Sequence, residues 1–276
     1  MSTFKFWIKV SGPMISLIGG FSAWIVALLS NGPTWVSIPK ITVGVVMALS
    51  VFSSSMWHYG ARHDVYARKH WDPVYVENPT SLILIGGLGF LTSIGLAAIF
   101  LPIECVAIAL FNAIVIMLYA KRLDQYWPVK NLVIAAICVT PILMGWLSGH
   151  RLNSVVPPLM ASSFMFFFAK EVLKDVVDRE ANQGKRFTMV MDLGIPASLR
   201  IAGGSMALAV SFIVYPAIYA PMPLFVRLLF APAVIYLSLF SLLLLAGKDI
   251  AKKYQQLYFG VNIILVCLLL IRVQMY

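Results

Sequence analysis

Residues 81–101 read SLILIGGLGFLTSIGLAAIFL, an unbroken run without a single charged side chain. Wound as an α-helix at ~1.5 Å per residue, this run is about 30 Å long, the thickness of a bilayer's hydrocarbon core. Inside lipid a backbone can satisfy its own hydrogen bonds only as a helix or as a closed barrel. Barrel strands alternate apolar and polar positions over about 10 residues, and this run does not alternate. It therefore predicts a membrane-spanning helix.

Eight further runs of the same kind flank it. The expected spans are 10–30, 38–57, 81–101, 103–120, 131–149, 153–170, 198–219, 222–246 and 256–275. The fold class that follows is all-α: a polytopic membrane protein of nine helices in a bundle, read as one domain over 1–276. Composition agrees. The chain is 61% hydrophobic and only 12% charged, with a mean hydropathy of +0.88. That charge content is about half the ~25% of a soluble domain, which excludes a soluble enzyme and a disordered tail. The run 10–30 is too long for the apolar region of a cleavable signal and is read as the first span. Cys105, Cys138 and Cys267 lie far apart within apolar runs, with neither metal spacing nor a disulfide framework.

The net charge is +10. With the N-terminus inside, all but four of the 21 Lys and Arg fall on one side, the exceptions being Lys40, Arg151, Arg227 and Arg272. The positive-inside rule places that side in the cytoplasm. The expected topology has a cytoplasmic N-terminus, long cytoplasmic loops after the second and sixth spans, and a C-terminus on the opposite side. The charge is thus assigned to a membrane face and not to nucleic acid. All but one of the 11 acidic residues, Glu104, share the cytoplasmic side. Acids do not set topology, so their gathering points to a site.

Three polar segments are candidates for that site. The first is KEVLKDVVDREANQGKRFT, residues 170–188. Its Asp175, Asp178 and Asn182 stand at i, i+3 and i+7, one face of a helix. Oxygen ligands so arranged at a membrane boundary suit Mg²⁺, which takes one or two carboxylates together with substrate phosphates. Lys185 and Arg186 follow closely enough to hold the same phosphates. A solvated helix with ordinary ion pairs is the competing reading. The second segment is MWHYGARHDVYARKH, residues 56–70. Arg62, Arg68 and Lys69 make a cationic, phosphate-facing surface there. His58, His63 and Asp64 do not share a helical face, which disfavours a transition-metal site, and the role of His70 stays open. The third is YAKRLD, residues 119–124, with Lys130 and Asn131 beyond it. Tyr119 and Lys121 at a helix end suit either a phosphate contact or an interfacial anchor.

The order of these segments resembles the UbiA-type intramembrane prenyltransferases over nearly the whole chain. Residues 174–182 with Gly184 to Thr188 are similar to that family's second motif, K-D-x-x-D-x-x-x-D followed by a G-x-R-T-type run. Tyr119 to Leu123 with Lys130 and Asn131 resemble its segment after the fourth span. Lys9 to Pro13 resemble its entry to the first span. The resemblance implies an allylic prenyl diphosphate bound with Mg²⁺ in a lipid-open cavity, ionised, and attacked by a membrane-soluble acceptor. The acceptor would be an aromatic ring, a quinone precursor or a lipid alcohol. It further implies Asp175, Asp178 and Asn182 as Mg²⁺ ligands, with Asp175, Asp178 and Asp64 as catalytic carboxylates. Lys121, Lys185, Arg186, Arg68 and Tyr119 would contact the diphosphate.

The family's first motif, N-D-x-x-D-x-x-x-D, is largely missing. With its last Asp placed on Asp64, the other ligand positions hold Met56, Trp57 and Gly60. The second motif ends in Asn182 where Asp is usual, which keeps an oxygen but removes a charge. Other readings stay open on this ground. They are an intramembrane terpene cyclase, a phosphoribosyl transferase acting on a polyprenyl phosphate, and a non-catalytic isoprenoid-binding or partner protein.

Overall fold

The computed structural model describes residues 13–30, 37–62, 79–149, 155–184, 186–219, 224–257 and 264. Nine α-helices are seen there: α1 (Pro13–Ser30), α2 (Ile38–Ala61), α3 (Pro79–Phe100), α4 (Ile103–Lys121), α5 (Trp127–Leu147), α6 (Val156–Val177), the single turn α7 (Arg179–Asn182), α8 (Met189–Tyr219) and α9 (Leu224–Leu245). Two 3₁₀ turns, Leu123–Gln125 and Ala251–Gln256, complete the set. Seven of the helices, α1 to α6 and α8, are long and apolar enough to cross a membrane, and α9 matches the eighth expected span. The ninth expected span, 256–275, lies almost entirely outside the described residues.

The exposed side of α3 explains why the composition is so apolar. Leu84, Leu88, Leu91 and Ile99 are each more than 60% exposed, at helical spacing. In water such a stripe would drive aggregation; in lipid it is the solvent-matched face.

Two compact units emerge. The first comprises Met1–Gln125 and Leu143–Arg151. In it α2 packs on α1, α3 and α4. Its core is built from small and medium side chains, among them Ala23, Ala27, Val43, Val46, Met47, Ala97, Ala109 and Met144. Small residues allow the close backbone approach on which helix association in lipid depends. Gly145 shows how close: a Cβ there would lie 2.9 Å from Val26 Cβ and 3.1 Å from Ala27 N, and would collide with the Ala23 carbonyl. Gly145→Ala is expected to lower stability by about 1–3 kcal/mol through overpacking. Gly95, with nothing within 4 Å of its would-be Cβ, is the control. Gly95→Ala should leave the detergent melting temperature unchanged or slightly raised.

The second unit comprises Tyr126–Ile142 and Leu152–Tyr276. Here α8 packs on α6 and α9, and α6 also meets the 3₁₀ turn Ala251–Gln256. Two hydroxyls stitch these helices: Ser162 Oγ donates to the Ala209 carbonyl and Ser241 Oγ to the Gly203 carbonyl, both at 2.8 Å.

Two boundaries differ most from expectation. Helix α6 runs to Val177 rather than 170, because Glu171 and Asp175 are buried and paired, with Lys170 and Lys174 and with Lys130, instead of forming a loop. Helix α8 begins at Met189 rather than 198 and bends at Gly194, whose φ of 79° breaks the helical run. A short first piece, 189–193, therefore precedes the spanning piece.

Candidate active site

The second motif is folded by a sequence of local bonds. Helix α6 ends as Asp178, at φ −91° and ψ 10°, donates its N–H to the Lys174 carbonyl at 2.9 Å. Asn182 N–H then bonds the Asp178 carbonyl at 2.9 Å, so helical register survives the break. The chain reverses at Gly184, whose φ of 73° favours glycine. Arg186 N–H returns to the Asn182 carbonyl at 3.0 Å. Phe187 forms a parallel bridge with Tyr126, just before α5, and Thr188 opens α8 by accepting the N–H groups of Met191 and Asp192. Trp127 Nε1 donates to Asp192 Oδ2 at 3.0 Å, fixing the start of α5 to the start of α8.

This folding buries a set of polar side chains within the second unit. Asp175 and Asn182 are each 1% exposed, Lys130 2%, Arg186 5%, and Asn131 and Thr188 not at all. The Lys130 ammonium donates to Asp175 Oδ1 in a buried ion pair. Among the described residues, Asp175 Oδ2, Asn182 Oδ1, Thr188 Oγ1 and both side-chain polar atoms of Asn131 have no hydrogen-bond partner. Each such buried group costs about 1–3 kcal/mol unless a ligand or water meets it, and all four residues belong to the second unit. Acceptors and donors are both present, as a cation with an anion requires. Next door on α6, Glu171 is 3% exposed and faces Lys170 at 3.6 Å and Lys174 at 3.7 Å. Asp178 is half-buried at the helix break.

The first unit carries the third segment and part of the second. Tyr119 is 4% exposed, with its ring 5.2 Å from that of His58. Lys121, at the end of α4, is exposed. Arg62 is 8% exposed and ion-paired with the fully buried Asp124. Two positions of the missing first motif, Met56 and Gly60, serve packing instead. Met56 is 1% exposed, and a Cβ at Gly60 would lie 2.7 Å from the Pro79 carbonyl oxygen, so no metal-binding side chain fits there.

Asp64, Arg68, Lys69, Lys185, His63 and His70 lie outside the described residues. Among the described residues no three His, Cys, Asp or Glu side chains gather as a metal-binding group. The oxygens on offer for a cation come from two carboxylates and one amide, Asp175, Asp178 and Asn182. Asp175 Oδ2 and Asn182 Oδ1, without a hydrogen-bond partner among the described residues, are oxygens of the kind a hard cation takes. Sequence reading placed Lys130, Asn131 and Asp124 with the third segment and Thr188 at the end of the second motif, without giving any of them a partner. The available signal was the ionisable Lys130 at the head of an apolar run, which demands a counter-charge in a membrane.

Comparison with known proteins gives a consistent result. The model of the UbiA prenyltransferase family matches residues 75–263. A digeranylgeranylglyceryl phosphate synthase from Methanoregula boonei is 24% identical over 206 residues, 73% of each chain. A solved structure bearing on the biosynthesis of digeranylgeranylglyceryl phosphate synthase in membranes superposes with a TM-score of 0.77 at 20% identity, covering 99% of this chain and 100% of that one. A UbiA homolog from Archaeoglobus fulgidus bound to DMAPP and Mg²⁺ gives 0.68 at 14% identity, covering 94% and 99%. An apo UbiA homolog from Aeropyrum pernix K1 gives 0.74 at 12%, covering 94% and 98%.

Proposed function

The chain belongs to the UbiA prenyltransferase family, and on that premise we propose that it moves a prenyl group from an allylic prenyl diphosphate to the hydroxyl of a membrane-soluble lipid acceptor. The observation that carries the site assignment is the group of buried, unpartnered polar atoms on Asn131, Asp175, Asn182 and Thr188. A lipid alcohol is preferred over an aromatic ring or quinone precursor because the curated relative is named as a glyceryl phosphate lipid synthase.

In this reading Asp175, Asp178 and Asn182 hold one Mg²⁺. When bound, that ion supplies positive charge against the leaving diphosphate oxygens. The chain's own residues do the rest. Arg186 and Lys185 bind the diphosphate, Asn131 and Thr188 orient it by hydrogen bonding, and the apolar helices exclude water from the prenyl chain. The reaction breaks the allylic C–O bond, with the electron pair leaving on diphosphate. The acceptor oxygen bonds to the same carbon and gives up its proton. Asp64, Lys121, Tyr119 and Arg68 are assigned to the diphosphate and its cation by the family resemblance. The matched stretch 75–263 takes in parts of both units, which supports treating 1–276 as one catalytic domain. The basic-residue distribution supports a cytoplasmic N-terminus and cytoplasmic site segments.

The test is diphosphate release by the full chain in liposomes, with geranylgeranyl diphosphate and a panel of lipid alcohols and aromatic acceptors. With a lipid alcohol, release is expected to fall at least ~10³-fold when Mg²⁺ is chelated, equivalent to about 4 kcal/mol of lost charge stabilisation. Release only with aromatic acceptors would overturn the acceptor assignment. Release unaffected by chelation would overturn the cation assignment.

A further inference from the structure

We propose that Lys130 is a tethered cation of the second motif, weakening divalent-cation uptake at Asp175 and bringing its own charge to the diphosphate. The inference rests on the reading above that Asp175 belongs to a cation–diphosphate site. Its observation is the way the Asp175 carboxylate is divided. One oxygen accepts from the Lys130 ammonium, while the other oxygen has no partner. Both side chains are 2% exposed, so solvent and salt screen the pair little.

The Lys130 charge also reaches Glu171, but its direct ion pair is with Asp175. Glu171, the other buried carboxylate on this helix, already faces Lys170 and Lys174. A divalent cation on the open oxygen of Asp175 therefore has an ammonium beside it on the same carboxylate. Two like charges so close repel strongly in a buried setting. The repulsion lowers the carboxylate's affinity for the metal. It also concentrates positive charge where an anion would sit, and a lysine is a compact point charge suited to phosphate. The sequence fits such a site. The segment 56–64 carries one carboxylate, Asp64, and the second motif ends in the neutral Asn182. A chain with few acidic ligands and a lysine on one of them depends less on metal for its positive charge.

The experiment titrates the full chain in detergent with Mn²⁺ alone, reading free Mn²⁺ by electron paramagnetic resonance. Lys130→Met is expected to bind Mn²⁺ at least about tenfold more tightly than the unaltered chain. Lys130→Arg is expected to match the unaltered chain, and Asp175→Asn to lose binding. Because Lys130→Met alone strips Asp175 of its counter-charge, the titration is repeated with Lys130→Met/Glu171→Gln, whose net charge equals that of the unaltered chain, and with Glu171→Gln as its single-variant reference. A second arm measures binding of a non-hydrolysable geranylgeranyl diphosphate analogue with no divalent metal present. It is expected to weaken at least about tenfold on loss of Lys130. Mn²⁺ binding that Asp175→Asn abolishes but that ignores Lys130, or weakens without it, overturns this inference alone. Absence of Mn²⁺ binding in every variant overturns the cation site itself, and this inference with it.

Discussion

Asp175→Asn is expected to lower both stability and turnover sharply, and Lys130→Met/Asp175→Leu to return the first without the second. The reason lies in the burial of the ion pair, with both side chains 2% exposed. Removing one partner of such a pair leaves an uncompensated charge and costs about 3–5 kcal/mol. Replacing both partners by apolar groups of similar size is often neutral or better. Asp175→Asn strands the Lys130 ammonium, so its melting temperature in detergent should fall well below that of the unaltered chain. The double replacement removes both charges and should restore most of that fall. Turnover separates the two roles. Loss of one preorganised electrostatic partner costs about 10²–10³-fold in rate, and the double variant should show that loss in full. The check is thermal unfolding beside diphosphate release at saturating Mg²⁺. A stable and active double variant would reduce Asp175 to a structural partner of Lys130. Unchanged stability in Asp175→Asn would instead refute the buried pair.

How much of this was readable in advance depends on the kind of force involved. The helix at 79–100 was legible to within two residues because lipid leaves a charge-free run only one way to satisfy its backbone. Helix α6 was cut short because four charged residues at its end look like a loop when taken one at a time. Only the pairing of Glu171 with Lys170 and Lys174, and of Asp175 with Lys130, makes it possible to bury the two carboxylates. The bend at Gly194 was missed because a five-residue piece carries too little periodicity to register. The second motif was legible because Asp175, Asp178 and Asn182 are local in sequence, and the helical register that joins them is kept across the break at Asp178. The ion pairs were not, since Lys130 and Asp175 stand 45 residues apart and Arg62 and Asp124 stand 62 apart. Spacing rules reach a turn or two. Beyond that, only the requirement that a buried charge find a partner points to the pair, and it does not say which partner.

Asn131→Leu is expected to raise stability while lowering turnover, a pairing of signs that a purely structural residue cannot give. Asn131 is completely buried, and neither its amide nitrogen nor its carbonyl oxygen has a partner. An unsatisfied buried group costs about 1–3 kcal/mol, and leucine of similar volume removes both such groups at once. A rise of at least about 1 kcal/mol in unfolding free energy follows on that account. Binding reverses the balance. In the proposed site the amide N–H group donates to the diphosphate, and deleting a preorganised donor of this kind costs about 10²–10³-fold in rate. Natural sites commonly hold such groups at a cost to stability, in return for activity. Thr188→Val offers a smaller version, with one unpartnered hydroxyl removed at nearly constant shape. Melting curves without ligand and diphosphate release with Mg²⁺ measure the two effects on the same preparations. Should Asn131→Leu prove less stable, the amide has a partner in the folded protein and its burial is ordinary packing. Should it prove more stable with turnover intact, the polar pocket lies elsewhere, and Asn131 has no part in holding the diphosphate.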